Sequence, residues 1–176
     1  MNIRRARVED APQMAQVHVD AWQAAYRGLV PDTFLQGFTY PRREAAFRQA
    51  LAANTEETYL MEDGQRPVGL LTIGACRDAD LETGLTGEIW GIYLAPDYWR
   101  RGLGTQLVHA AEGLLHSRGY RDIVLWVLEG NLAARRFYET MGFHLDGASK
   151  IVELGKPLPV VRYQKTSGAP TPALGG

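Results

Sequence analysis

The chain has a single cysteine, Cys76, among its 176 residues. One thiol cannot close an internal disulfide, and no His/Cys cluster at metal-ligand spacing accompanies it. A disulfide-stapled scaffold and a structural zinc site are excluded, no metal is expected, and a reducing, cytoplasmic setting fits best. An excess of charge is missing too: 19 Lys+Arg oppose 20 Asp+Glu, a formal net charge of −1. No overall basic field exists to hold a nucleic-acid backbone or an anionic membrane; the balance leaves room only for a local basic patch. No stretch approaches the ~18 consecutive apolar residues of a membrane span. Met1-Asn2-Ile3-Arg4-Arg5 leads into charge rather than into the apolar core of a signal segment. What is present is an ordinary globular composition, 45% hydrophobic and 22% charged. The length suits one domain and rules out two large ones.

Periodicity orders the chain. Ile3 to Arg7 alternates as a strand, and a helix should follow as far as Arg27, with Gly28 as its stop. Met14, Val17, Ala21 and Ala24 keep one helical face, while His18, Trp22 and Tyr26 recur every four residues on a neighbouring stripe. Pro31 opens a short helix closed by Gly37, and Pro41 sits in the first turn of another containing Phe47 and Leu51. Thr58 to Glu62 and Val68 to Ile73 are strand-like around the hairpin signal Asp63-Gly64. Beyond a polar loop, Gly87 to Leu94 is a strand, Gly102 to Ser117 a helix, Asp122 to Leu128 a buried strand and Asn131 to Met141 a helix. Phe143 to Leu145, Ile151 to Leu154 and Val160 to Gln164 are further strand candidates. The class is α/β. Residues 1–166 are expected to form one domain and 167–176, which lack a core-forming pattern, a flexible tail.

The stretch Gly87 to Thr105 carries chemistry. A strand enters a glycine-containing turn that opens a helix, leaving successive backbone N–H groups around Gly102, Leu103, Gly104 and Thr105 free to bind an anion such as a pyrophosphate. A side chain at Gly102 or Gly104 would hold the phosphate off or demand an unfavourable backbone angle. Arg100 and Arg101 add positive charge. A nucleoside-triphosphate loop would need Gly-Lys-Ser/Thr, which is absent, and a dinucleotide fingerprint would need Gly or Ala at position 107, which is Leu107. Taken alone, Gly-Leu-Gly also suits an ordinary tight helix start.

A second segment adds context: Asn131, Ala134, Phe137, Tyr138, Gly142 and Phe143 match Asn-x-x-Ala-x-x-Phe-Tyr-x-x-x-Gly-Phe. With Arg100-Arg101-Gly102-Leu103-Gly104 it resembles the GNAT superfamily of N-acetyltransferases. The family's pyrophosphate pattern, Gln/Arg-x-x-Gly-x-Gly/Ala, is departed from at Trp99, a change of small consequence where backbone amides do the binding. The resemblance implies a mixed, mostly antiparallel central sheet with helices on both faces and splayed strands at 87–94 and 122–128. It implies acetyl-CoA as cosubstrate, Tyr93 and Leu94 presenting backbone groups to its pantetheine arm, Arg100 to Thr105 holding its pyrophosphate, and Asn131 bonding the same arm. It implies Tyr138 near the coenzyme sulfur, donating to the leaving thiolate, and a homodimer as a common assembly.

Direct attack on a thioester needs a neutral amine. With a pKa of about 10.4, only about one lysine-like amine in a thousand is neutral at pH 7, a cost of roughly 4 to 5 kcal/mol. Glu88 is the candidate base and a substrate contact, with a solvated strand-end carboxylate as the alternative. His18, Trp22 and Tyr26 are either a packing stripe or, as the resemblance implies for helices after the first strand, a wall of the acceptor site, for which Trp22 and Tyr26 are the candidates. Val19 to Leu35 resembles a subgroup that includes polyamine acetyltransferases, in which case Asp32 or carboxylates between Arg77 and Glu88 would offer opposite charge. His109, His116 and His144 are expected to be structural or solvated, and Cys76 a small buried hydrophobe. The expected function is acetyl transfer to a small primary amine. A protein or peptide acceptor and a noncatalytic acyl-CoA sensor are the alternatives, the sensor disfavoured by the presence of Tyr138.

Overall fold

The computed structural model describes residues 1–166; the tail expected at 167–176 lies outside them. Seven strands form one sheet: β1 (Asn2–Arg5), β2 (Glu57–Asp63), β3 (Arg66–Ala75), β4 (Thr86–Leu94), β5 (Asp122–Leu128), β6 (His144–Glu153) and β7 (Pro157–Thr166). Among the described residues five α-helices accompany it: α1 (Ala11–Ala25), α2 (Asp32–Gln36), α3 (Tyr40–Ala53), α4 (Leu103–Ser117) and α5 (Leu132–Thr140). The spatial order is β1-β2-β3-β4-β5-β7-β6. Neighbours are antiparallel except β4 and β5, which are parallel because α4 returns the chain across the sheet.

Side-chain alternation along β2 and β3 separates two layers. Leu60 and Leu70 face α1 and α3, where they join Met14, Ala15, Val17 and Phe47. Met61, Leu71 and Ile73 face the opposite way, onto Leu103, Leu107, Val108, Ala111 and Leu115 of α4. Leu107 and Leu115 are completely buried, each contributing roughly 1.5–3 kcal/mol relative to exposure. The helical spacing of these residues is therefore the spacing of one core face.

Two parallel strands divide the sheet. Pairing between β4 and β5 runs only from Thr86↔Asp122 to Ile89↔Leu125, yet β4 continues to Leu94 and β5 to Leu128. The register of β3 against β4 jumps from Thr72↔Gly91 to Ile73↔Ile89, so Trp90 is an extra residue in β4. Such a bulge bends the strand that carries it, and the central strands part where it occurs.

One sequence expectation is revised. Phe143 to Leu145 and Ile151 to Leu154 are not separate strands, since β6 runs unbroken from His144 to Glu153. The polar interval hides a bulge. Gly147 has φ +93°, Asp146 Oδ1 accepts from the Ala148 amide at 2.9 Å, and pairing with β7 shifts between Leu145 and Ser149. Helix α1 also ends earlier than expected, at Ala25.

Candidate active site

The parting of β4 and β5 opens a cleft of about 780 Å³. Its walls come from Ile89 to Leu94 on one strand and Leu125 to Val127 on the other. Its ends are closed by the start of α4, by α5 and by the last turn of α1.

At the α4 end the backbone makes an anion cradle. Arg100 (φ +61°) and Gly102 (φ +74°) both adopt left-handed conformations, and the Gln106 amide makes the first helical bond, to the Gly102 carbonyl at 3.3 Å. The amides of Leu103, Gly104 and Thr105 precede that bond and point out of the helix end. Arg100, Gly102, Gly104 and Thr105 line the cleft; Leu103 turns its side chain into the core beneath. Arg101 does not line it, and its guanidinium lies over the Tyr98 ring, 5.0 Å from the centroid.

Along β4 the expected backbone contacts change. The Ala95 amide donates to the Val68 carbonyl at 2.9 Å, so antiparallel alternation turns the backbone groups of Tyr93 toward β3 and those of Ile92 and Leu94 toward the cleft. Tyr93 presents its phenol there, not its amide. The Leu94 carbonyl accepts from Trp99 Nε1 at 2.7 Å, which leaves the Leu94 amide as the donor facing the opening. Across the cleft, Asn131 caps α5, its Oδ1 accepting from the Ala134 amide at 3.2 Å. Only its side-chain amide N–H groups remain for a ligand.

Three phenols converge on the same space. Tyr26, Tyr93 and Tyr138 all line the cleft. Burial raises the pKa of each, and for Tyr26 and Tyr138 the neighbouring phenols raise it further. They are hydrogen-bond donors at neutral pH. Tyr138 packs edge-on to Phe143, with ring centroids 5.9 Å apart, and its helix is tied down where Tyr163 bridges Arg135 (3.0 Å) and Glu139 (2.6 Å).

Glu88 is not brought to the cleft. Its carboxylate, 2% exposed, accepts from Arg77 Nη2 at 2.6 Å, Arg77 Nε at 3.1 Å and the Arg77 amide at 3.0 Å. All three contacts are to Arg77, and none faces the cleft where the expected base would act. It is also no solvated strand end. Trp22 does not line the cleft either; it stacks on Phe38 (4.6 Å) and packs on Tyr26 (4.4 Å). Its indole Nε1 is buried without a hydrogen-bond partner. Of the α1 stripe, Tyr26 alone reaches the cleft, and Asp32 is exposed away from it. His109, His116 and His144 are exposed and outside its lining, and Cys76 is buried, which raises its thiol pKa.

Trp126 is a cleft residue that the sequence did not single out, because an almost uninterrupted apolar strand does not reveal which face opens. Its Nε1 donates to Asp78 at 2.8 Å. Asp78 also takes Arg162 (3.1 Å) and Lys150 (3.3 Å). Burial alone would raise the Asp78 carboxyl, but these donors hold it below its ordinary range. Among the described residues no group of His, Cys, Asp and Glu is placed to hold a metal, and no helix is long and apolar enough to cross a membrane.

The model of the acetyltransferase (GNAT) family matches residues 21–143, a span that contains the cradle, both parted strands and all three phenols. The chain belongs to the GNAT family. Among curated proteins, this acetyltransferase is 29% identical to a Mycobacterium tuberculosis protein named as a probable N-acetyltransferase, over 97% of this chain and 96% of that one. It is 23% identical to a spermidine N(1)-acetyltransferase of Thermoplasma acidophilum, over 87% and 96%. The fold matches that of PaiA N-acetyltransferase from the same organism, solved with coenzyme A, at TM-score 0.75 and 16% identity, covering 94% of this chain and 98% of that one. It also matches YncA from Salmonella typhimurium, solved with acetyl-CoA, at TM-score 0.69 and 18% identity over 99% and 98%. The enzyme is an acetyl-CoA-dependent N-acetyltransferase, and the cradle fits the cosubstrate: no atom lies within 4 Å of the place a Gly102 Cβ would occupy.

Proposed function

We propose that this acetyltransferase moves the acetyl group of acetyl-CoA directly onto a primary amine of a small molecule, in the cleft between β4 and β5. The observation that carries this reading is the continuity of that cleft from the α4 amides to the Tyr138 phenol. The thioester supplies an electrophilic carbonyl and a thiolate leaving group. The chain supplies position and hydrogen bonds. Amides 103–105 hold the pyrophosphate, with Arg100 beside them. The Leu94 amide and the Asn131 side-chain amide grip the pantetheine arm.

In the transfer an N–C bond forms, the C–S bond breaks and the amine loses a proton. With the Glu88 carboxylate committed to Arg77, that proton passes to water in the cleft. Tyr138, kept protonated by burial, hydrogen-bonds the departing sulfur. A phenol with an ordinary pKa near 10 need not give its proton wholly to a thiolate whose acid has a pKa near 8.5; stabilising the developing charge suffices.

An assay of free coenzyme A release across amines and peptides, with product masses determined, tests the proposal. Acetylated small amines are the expected products. Exclusive acetylation of peptides would replace the acceptor class, and tight coenzyme binding without transfer to any acceptor would support a sensor instead.

A further inference from the structure

A second cavity, of about 150 Å³, adjoins the cleft, and Trp90, Gly91 and Tyr93 form part of both walls. At about 30 Å³ per water, it has room for a group of several heavy atoms. The remaining wall comes from α1, α3 and the strands beside them, with His18, Arg43, Thr72, Arg77 and Glu56 as its polar members.

The charges on this wall are unevenly satisfied. Arg77 is neutralised by Glu88 and stacked on Trp90, 4.4 Å from the ring centroid. Arg43 is half-buried between Phe38 and Phe47, its guanidinium 5.1 and 5.0 Å from their centroids. Its Nε donates to His18 Nδ1 at 3.1 Å, and among the described residues it makes no ion pair, leaving Nη1 and Nη2 without acceptors. Glu56 lies near enough for Arg43 to feel its charge, but not in ion-pair contact.

His18 is 6% exposed. Because its Nδ1 accepts from Arg43, the imidazole proton belongs on Nε2, which is buried without any partner. Nε2 is sealed among the surrounding rings, so the donor this small pocket offers is the Arg43 guanidinium fork, which is short of acceptors and calls for ligand oxygens of negative charge.

We propose that this second pocket selects acceptor amines that also carry a carboxylate, in the manner of an amino acid, with Arg43 as the anchor for that carboxylate. The proposal rests on the acetyl-transfer reading above and narrows its acceptor. The shared Trp90-Gly91-Tyr93 wall sets the anchored carboxylate beside the cleft, so that the amine extends toward the thioester. A polyamine would instead bring a second ammonium to a guanidinium that no carboxylate contacts, with Glu56 acting on it only at a distance.

The test is a matched panel: alanine, leucine, phenylalanine, glutamate and lysine, each with its carboxamide and its decarboxylated amine, together with spermidine. For the preferred side chain, kcat/KM should be at least about 10-fold higher for the acid than for either neutralised partner, the size expected of hydrogen bonds to a charged group. Arg43→Gln should erase that preference by raising KM for the acid while leaving KM for acetyl-CoA unchanged. Arg43→Lys should restore part of it. Equal or better turnover of decarboxylated amines or spermidine by the wild type, or an equal loss on all amines in Arg43→Gln, would overturn the assignment.

Titration of the coenzyme A complex with the N-acetylated amino acids separates this proposal from the transfer reading. Binding that is lost in a folded Arg43→Gln variant supports the pocket even if no amine turns over, and absence of binding to the wild type overturns it.

Discussion

The Glu88 carboxylate, 2% exposed, and the Arg77 guanidinium, 58% exposed, form a 2.6 Å ion pair that spans the boundary between core and surface. From its outer side Arg77 stacks on Trp90, the residue whose insertion bends β4 away from β5. The pair therefore acts on the shape of the cleft from behind the wall. Glu88→Gln should keep the wild-type dependence of kcat/KM on pH while losing about 1–3 kcal/mol of stability, the cost of weakening hydrogen bonds to a buried charged group. Parallel pH–rate profiles and denaturant melts measure both. A vanished acidic limb in the variant would restore Glu88 as the base.

Tyr138→Phe removes the hydroxyl and keeps the ring against Phe143. We expect kcat to fall by about 10²-fold, the loss typical of one preorganised donor to developing charge, with the dissociation constant for coenzyme A unchanged. Equal turnover in the variant would show that the sulfur leaves without this donor.

At the anion cradle, Gly102 and Gly104 should fail differently. A side chain at Gly102 meets no atom within 4 Å but must hold φ +74°, a conformation costing roughly 1–2 kcal/mol outside glycine. A Cβ at Gly104 would lie 3.2 Å from the tip of Phe137, the neighbour of Tyr138. Gly102→Ala should lower the melting temperature and weaken coenzyme binding, whereas Gly104→Val should also reduce kcat. Calorimetric titration with coenzyme A and steady-state kinetics separate the two.

His18 gives a pH dependence of stability with a definite sign. Burial and then the neighbouring Arg43 charge lower its pKa from 6.5 to about 3, so the folded state keeps it neutral while the unfolded chain takes a proton. This contribution is fully present above pH 6.5 and is lost as pH falls from 6.5 toward 3. Between pH 6.5 and 4.5 the loss is about 2–3 kcal/mol at 1.36 kcal/mol per unit. The lowered carboxyls of Asp10 and Asp78 lose their share only below their ordinary value of 3.8, so the higher window isolates His18. Urea melts of wild type and His18→Gln across that window should show a flatter slope in the variant.

Arg162 is 4% exposed and holds Asp78, Asp80 and Asp146 at 3.1, 2.7 and 2.6 Å. Arg162→Met leaves the nearly buried Asp78 and Asp146 without their main partner, and about 3–5 kcal/mol of stability should be lost. Trp126 would also lose the support beneath its indole, so its fluorescence should change before global unfolding begins.

The geometry of the turn before α4 was legible because a left-handed turn and a helix start are set by consecutive residues. Gly102 and Gly104 need only their immediate neighbours to leave successive amides free at the helix start, and Asn131 caps its own helix through Ala134, three residues on. Tyr26, Tyr93 and Tyr138 were each visible as candidates, but their convergence was not: they come from the end cap of α1, from β4 and from α5. Trp22 and Glu88 went the other way, since helical spacing and strand position indicate a face without saying what covers it.

The sequence by itself determined most of the elements, their order and the glycine turn that opens α4, because periods of two and 3.6 residues and turn-forming glycines are properties of contiguous chain, while the bulge that makes β6 one strand is not. Only the tertiary structure decided which carboxylate is spent on an arginine, which aromatic rings see the cleft, and that Arg43 meets His18 across 25 residues at a pocket with no anion of its own in contact. Those outcomes depend on burial and on the pairing of charges brought together by the sheet, and no local pattern encodes either.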